Sequence, residues 1–439
     1  MVTMKSDSLG WTWVVAGSIA LLAACGGGNA DVDREAALGR PATVVDQGEN
    51  VVWRWGQIAA ATITSTASVP RVTPEEQRPQ WAIDLATVHA AIYDAVIAIA
   101  ATHKPYAITA QVSAAGASMD AAATAAAYGV LKGLFPNRSA VYQPTYDAQL
   151  AAIPDGAAKT QGLALGAEVA AGMLALRAND GRSITLPPFV PGTGPGQFRG
   201  LNPLVPFYPY IKPFTLTSAA QFRAGGPPAL GSGTYADDLN EVKAWGSATS
   251  ALRSAEQTEA ARFQTELPNF HWPRNLAQFA RSQPSLAENA RLAALLWVTM
   301  ADTTLGCFES KYHFLFWRPA SAIALADTDG NDETVADPSW TPLGPVPNHP
   351  EYPAAHSCVS AALAETLSGY YGTRKLSFSF NSTVTGTTHA FTSVNEMERE
   401  ASMARIWGGM HFRTALVHGA VLGAKTARWV EKHHFTARQ

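Results

Sequence analysis

Strongly basic stretches are missing from this sequence. Lys and Arg number 32 against 35 Asp and Glu, the formal net charge is −3, and no block of Lys or Arg occurs along the 439 residues. Nucleic acid is excluded as a partner, because its backbone is recognised through clustered positive charge. Long apolar runs are missing too. Past the amino terminus no segment offers about 18 uninterrupted apolar residues, so the mature chain is not expected to span a bilayer. No internal repeat is present. Charge is sparse at 15%, whereas 47% of the residues are hydrophobic. That balance excludes a disordered chain and supplies a large core, organised as one big or two ordinary domains.

The amino terminus carries one apolar run. Lys5 precedes a stretch from Trp11 to Ala24 interrupted only by Thr12, Gly17 and Ser18, and small residues lead into Cys25. The pattern predicts a signal peptide over residues 1–24. Leu22, Ala23, Ala24 and Cys25 resemble the bacterial lipobox, which implies cleavage before Cys25 and lipidation of Cys25. The chain would then be exported and lipid-anchored to a bacterial membrane, facing the periplasm or cell exterior. A plain signal peptide with an incidental cysteine is the other reading. Residues 25–48 form a Gly-rich flexible tether. An N-terminal helical part follows over 49–228, and a C-terminal helical part over 229–439.

From residue 49 onward apolar residues recur with helical spacing, broken by Pro and Gly, so the expected fold is all-α, built of helical bundles. Thr73, Pro74, Glu75 and Glu76 supply an N-cap, a first-turn proline and acidic first-turn residues. The stretch AIDLATVHAAIYDAVIAIA then sets Ile83, Ala86, Ala90, Tyr93 and Ile97 on one stripe. His89 and Asp94 interrupt it and are expected to form a buried, hydrogen-bonded pair. Residues 119–134 and 156–179 are Ala- and Gly-rich and should pack closely, with Gly181 ending the second. Arg182 to Pro228 is rich in Pro, Phe and Tyr, an irregular connection of the length that wraps a surface or serves function. Helical spacing resumes near Tyr235. Asp327, Asp329, Asn331 and Asp332 surround Gly330 without EF-hand spacing or its terminal glutamate, so an acidic turn is expected there, not a calcium loop. Residues 375–393 alternate as a short hairpin would, and Ser393 with Glu396 predicts a capping box.

The chemistry concentrates in residues 311–319, KYHFLFWRP. On a helix, Lys311 and Arg318 would lie about 20° apart around the axis and about 10.5 Å apart along it, with Pro319 stopping the helix at Arg318. Two cations beside Phe314, Phe316 and Trp317 are costly to bury unless an anion sits between them, which reads as half of an oxyanion clamp. The other reading is a helix whose Lys and Arg reach water past an aromatic stripe. Two later stretches meet the same demand. In PEYPAAHS, Pro353 to His356 precede a helix beginning near Ser357, which puts His356 and nearby N–H groups at an anion-attracting helix N-terminus. In ARIWGGMHFR, Arg405 closes one helix, Gly408 and Gly409 turn the chain, and His411 opens the next.

Taken in order, these pieces resemble the three-part signature of the vanadium-dependent haloperoxidases and of the type 2 phosphatidic acid phosphatase superfamily to which they belong. That signature is Lys, six residues and Arg-Pro; then Pro-Ser-Gly-His; then Ser-Arg, five residues and His. Lys311 and Arg318-Pro319 match the first part, Pro353 and His356 the second, Arg405 and His411 the third. The likeness extends from about residue 50 to the C-terminus, through LATVHAAIYDAV, AAAYGVL, ENARLAALLWVTMAD and NHPEYPAAHS.

The resemblance implies that Lys311, Arg318, Arg405 and the backbone N–H of Ala355 bind the oxygens of vanadate or phosphate. It places His411 on the central atom, as ligand to vanadium, and makes His356 the acid and base. A haloperoxidase would use vanadate on His411 to oxidise a halide with hydrogen peroxide. A periplasmic acid phosphatase would form a phosphohistidine at His411 from a phosphate ester, and a non-catalytic phosphate-binding lipoprotein would keep only the pocket. The long, largely helical chain favours the haloperoxidase branch, with 229–439 as the catalytic part. Ala354 and Ala355 stand in for the signature's Ser and Gly, and Ala404 for its second serine. Ala415 replaces the acidic residue expected four positions after the last histidine, so another acceptor must orient His411. If Cys25 carries lipid, Cys307 and Cys358 remain, one near Lys311 and one near His356. They are either a disulfide bracing the anion site or two buried thiols.

Overall fold

The structure is a computed structural model that describes residues 42–43, 48–65, 70–78 and 80–438. The expected signal peptide, Cys25 and most of the tether lie outside the described residues. Pro41–Gln439 form one compact unit, and the boundary drawn at residue 228 falls inside it. Helices α1 (Val51–Thr64), α2 (Pro74–Gln77), α3 (Trp81–Ala100), α4 (Met119–Leu134), α5 (Ser139–Ala152) and α6 (Ala157–Arg177) precede the Pro-rich connection. After it come α7 (Gly233–Gly246), α8 (Ala255–Phe263), α9 (Pro268–Arg281), α10 (Leu286–Phe314), α11 (Pro319–Ala324), α12 (Ala355–Tyr371), α13 (Val394–Trp407) and α14 (Arg413–His433). Strand β1 (Ala42–Thr43) lies parallel to β2 (Leu376–Asn381), which pairs antiparallel with β3 (Thr388–Phe391). The fold is all-α in class, and β2 with β3 is the hairpin read from residues 375–393.

The packing follows the small residues. α3 buries every residue from Ala82 to Ile97, not one stripe, because α4 and α10 both pack on it. α4 meets α6 so closely that a Cβ at Gly166 would collide with the Ala122 carbonyl. α6 ends at Arg177, before the expected Gly181, which lies in the following turn with φ 95°. His89 and Asp94 do not pair. Five positions along a helix turn side chains about 140° apart, and Asp94 instead accepts the N–H groups of Tyr106, Ala107 (3.0 Å) and Ile108 (2.7 Å). His89 stacks on Trp297 of α10, ring centroids 6.1 Å apart.

The 29-residue α10 runs about 43 Å and carries the site. α3 and α10 are long and apolar enough to cross a membrane by composition, and both are buried inside the fold. Asp302 of α10 accepts the backbone N–H groups of Phe214 (2.6 Å) and Thr215 (2.7 Å), tying the Pro-rich connection down. Asp329 accepts from Asn331 N–H (2.9 Å) and the Thr334 hydroxyl (2.8 Å), so that stretch is an acidic turn. Ser393 caps α13, and Glu396 reaches back to the Thr392 N–H (2.7 Å).

Candidate oxyanion site

The helix bearing Lys311 does not reach Arg318. α10 ends at Phe314, and Leu315 closes it in the left-handed region (φ 50°), its N–H donating to the Lys311 carbonyl over 2.9 Å. The chain then runs beside the Pro-rich connection: Phe198 N–H donates to the Leu315 carbonyl (2.7 Å) and Trp317 N–H to the Gly196 carbonyl (2.9 Å). Arg318 is extended (φ −82°, ψ 155°) at the start of α11. Pro319 therefore begins a helix, as its fixed φ and missing N–H suit the first position. The single-helix geometry expected from the sequence is wrong, and the two cations meet because the chain turns between them.

Both side chains converge on residues 349–351. Lys311 Nζ donates to the carbonyls of Pro350 (2.9 Å) and Glu351 (2.8 Å). Arg318 donates from Nε to the His349 carbonyl, from Nη2 to His349 Nδ1 and from Nη1 to the Met410 carbonyl, each over 2.9 Å. Arg405, in the last turn of α13, reaches the Gln264 carbonyl with Nη1 (3.0 Å), touches the Met410 sulfur with Nη2, and leaves Nε without a partner. None of the three cations is more than 3% exposed. Burial lowers the pKa of Lys311 far below its usual value, that of Arg318 to about 10 and that of Arg405 to about 9, and neighbouring cations depress Lys311 and Arg405 further. Buried cations whose partners are neutral carbonyls, two imidazoles and a thioether gain from a bound anion.

His411 lies between Arg318 and Glu351. Its Nδ1 is 2.9 Å from Glu351 Oε1 and its Nε2 is 3.0 Å from Arg318 Nη1. A guanidinium only donates, so Nε2 accepts and Nδ1 carries the proton that it gives to Glu351. The lone pair of Nε2 is thereby held among the cations. Glu351 Oε1 also accepts the Phe412 N–H (3.0 Å), while Oε2 has no hydrogen-bond partner in the protein. Burial raises the Glu351 pKa to about 7, although Lys311 and Arg318 pull it down. Burial, then Arg318 and Lys311, hold His411 well below the usual imidazole range.

α12 begins at Ala355, and no side chain caps it. Its first-turn N–H groups, including those of Ala355 and His356, therefore have no intrahelical partner and favour negative charge. His356 shares the Gln264 carbonyl with Arg405, and burial, followed by Arg405, lowers its pKa far enough to keep it neutral at pH 7. Lys311, Arg318, His356, Arg405 and His411 thus come together. Among the described residues no group of three or more His, Cys, Asp or Glu is placed to hold a metal cation. This donor set suits an oxyanion.

Residues 291–439, which contain all of these side chains, match the family model described as the VCPO second helical-bundle domain. Over these residues the chain is similar to the vanadium haloperoxidase superfamily. It is 31% identical over 105 residues to the vanadium chloroperoxidase of Curvularia inaequalis, a match covering 22% of this chain and 17% of that curated relative. The fold is similar to that of a bacterial vanadium-dependent iodoperoxidase, with a TM-score of 0.69 at 22% identity over 89% of this chain and 97% of the other. A holo-type bacterial vanadium-dependent chloroperoxidase aligns with a TM-score of 0.67 at 14% identity, covering 88% of this chain and 97% of that one.

Against the superfamily signature, the departures have local answers. Ala354 offers no hydroxyl, but its N–H donates to the Ala415 carbonyl (3.0 Å), fixing the start of α12 against α14. α14 comes that close because it presents glycines: a Cβ at Gly419 would lie 2.8 Å from the Ala354 carbonyl, and one at Gly423 would collide with that of Cys358. Glu351 takes the place of the missing acid at Ala415. Sequence reasoning missed it, although it lies within PEYPAAHS and three buried cations called for a nearby carboxylate. Cys307 and Cys358 are joined in a disulfide, Cα atoms 6.4 Å apart, which ties α10 near Lys311 to the first turn of α12.

Proposed function

We propose that the chain is a vanadate-dependent haloperoxidase-like oxidoreductase that oxidises a halide with hydrogen peroxide at vanadate held by His411. The observation that carries this reading is the set of three buried cations gathered around an imidazole nitrogen whose lone pair is fixed inward. The unpaired Arg405 Nε and the uncapped α12 N-terminus fit the group, because both lack an acceptor that an oxyanion supplies. Bound vanadate supplies the Lewis-acidic centre that activates peroxide. Lys311, Arg318 and Arg405 would hold its oxygens and neutralise their charge, the Ala355 N–H would add a backbone donor, and His411 Nε2 would be the protein ligand.

His356 is neutral with one ring nitrogen turned to the Gln264 carbonyl. The other nitrogen would take a proton from an incoming peroxide or water. Glu351 holds the His411 tautomer throughout. The same pocket suits phosphoryl transfer through a phosphohistidine, and one assay separates the readings. Bromide oxidation that depends on orthovanadate supports the proposal. Phosphate-ester hydrolysis inhibited by orthovanadate selects the acid phosphatase, and phosphate binding without turnover selects the non-catalytic lipoprotein. Export with a lipid on Cys25 belongs to the same proposal and is supported by the disulfide, a bond that persists in oxidising compartments. Mass spectrometry of membrane-extracted protein tests it, and an unmodified Cys25 in mature protein would refute it.

A further inference from the structure

Arg405 faces an acceptor that suits it poorly. Nη2 lies against the Met410 thioether, a weak acceptor, Nε has no partner, and only Nη1 meets a carbonyl. The Met410 N–H donates to the Arg405 carbonyl (2.9 Å) and its own carbonyl accepts from Arg318 (2.9 Å), so the backbone holds this sulfur at the clamp, one residue from His411. Met410 is 1% exposed. Ala355 and His356, at the same site, are partly exposed.

We propose that Met410 is an oxidation site: hydrogen peroxide converts its thioether to a sulfoxide whose oxygen pairs with Arg405 and shuts oxyanions out of the pocket. The inference rests on the reading of this pocket as an oxyanion site with peroxide as co-substrate. The sulfur lone pair attacks one peroxide oxygen, and the O–O bond breaks as the S–O bond forms. The hydroxide so released takes the proton from the sulfur-bound oxygen and leaves as water. Sulfur loses two electrons and peroxide gains them. A sulfoxide oxygen is a much stronger acceptor than sulfur, so oxidation satisfies Arg405 internally and removes part of the deficit that draws an anion. Methionine sulfoxide reductase reverses the change, which makes it a brake on a peroxide-consuming pocket.

The test treats the full chain with hydrogen peroxide, with and without saturating phosphate, then locates added oxygen by peptide mass spectrometry and measures phosphate affinity by calorimetry. Met410 should gain oxygen ahead of Met173, Met300 and Met397, which are as buried but lie in the main core. Phosphate should protect it. Oxidised protein should bind phosphate about tenfold more weakly, the loss of one charge-assisted hydrogen bond, and the reductase should restore binding. Peroxide should leave the phosphate affinity of Met410→Leu where it was before treatment. The proposal is overturned if Met410 stays reduced while the core methionines oxidise, if its oxidation leaves phosphate affinity intact, or if Met410→Leu loses affinity as the wild type does. Reduced wild type that binds neither phosphate nor vanadate refutes the oxyanion reading instead, whatever the mass spectra show.

Discussion

Replacing Glu351 with Gln removes a charge while leaving an acceptor. The amide oxygen can still take the His411 Nδ1–H and the Phe412 N–H, so the ring stays oriented, but Lys311 and Arg318 lose the carboxylate that faces them. Lys311 and Arg318 then lack a counter-charge, which a bound oxyanion supplies. Sulfate should therefore raise the melting temperature of Glu351→Gln more than that of the wild type. Turnover should fall about 10- to 100-fold, as for other partners that set the basicity of a ligating histidine. The pH response carries a sign. The Glu351 pKa is raised from 4.5 to about 7 by burial, so the stability of its protonated form is present below 4.5 and lost as pH rises through about 7. Ionised Glu351 also competes with an anion for Lys311 and Arg318. Calorimetric titration with sulfate, whose charge is constant between about pH 5 and 9 while Glu351 titrates, should show wild-type affinity falling across pH 7 and no such step in Glu351→Gln. The same step in both proteins, or in neither, would refute the reasoning.

His356→Ala should keep vanadate, since the cations and His411 remain, but lose about 100- to 10,000-fold in turnover, the usual worth of a positioned acid or base; a variant that releases vanadate would contradict that division of roles. Removing the disulfide by Cys307→Ala with Cys358→Ala should cost about 4 kcal/mol, given a sequence separation of 51. Thermal melting measures the loss, and two reactive thiols in denatured, unreduced wild type would rule the bridge out.

The sequence showed which residues converge better than how the backbone brings them together. Lys311, Arg318, His356, Arg405 and His411 were legible because chemistry fixes their types and the signature fixes their spacing. The path from Lys311 to Arg318 was not, since Leu315 in the left-handed region is imposed by pairing with residues 196–198, more than a hundred positions away. Pro319 was ambiguous, because the same ring that stops one helix suits the first position of the next. Glu351 was hidden by expecting its role at Ala415, although two places can bring a carboxylate to one imidazole. The Ala- and Gly-rich helices are legible as close-packed, whereas nearness in sequence suggests a His89–Asp94 pair that helical phase forbids. The hairpin was read from alternation alone, a local signal that no distant contact overrides.

Under the proposed function, His411 Nε2 holds the oxyanion that three buried cations demand. Vanadium content, measured after incubation with orthovanadate and exhaustive desalting, tests it most directly in the wild type and in His411→Ala. An equimolar amount in the wild type and none in the variant is the expected result; vanadium retained by His411→Ala, or absent from folded wild type, would contradict it.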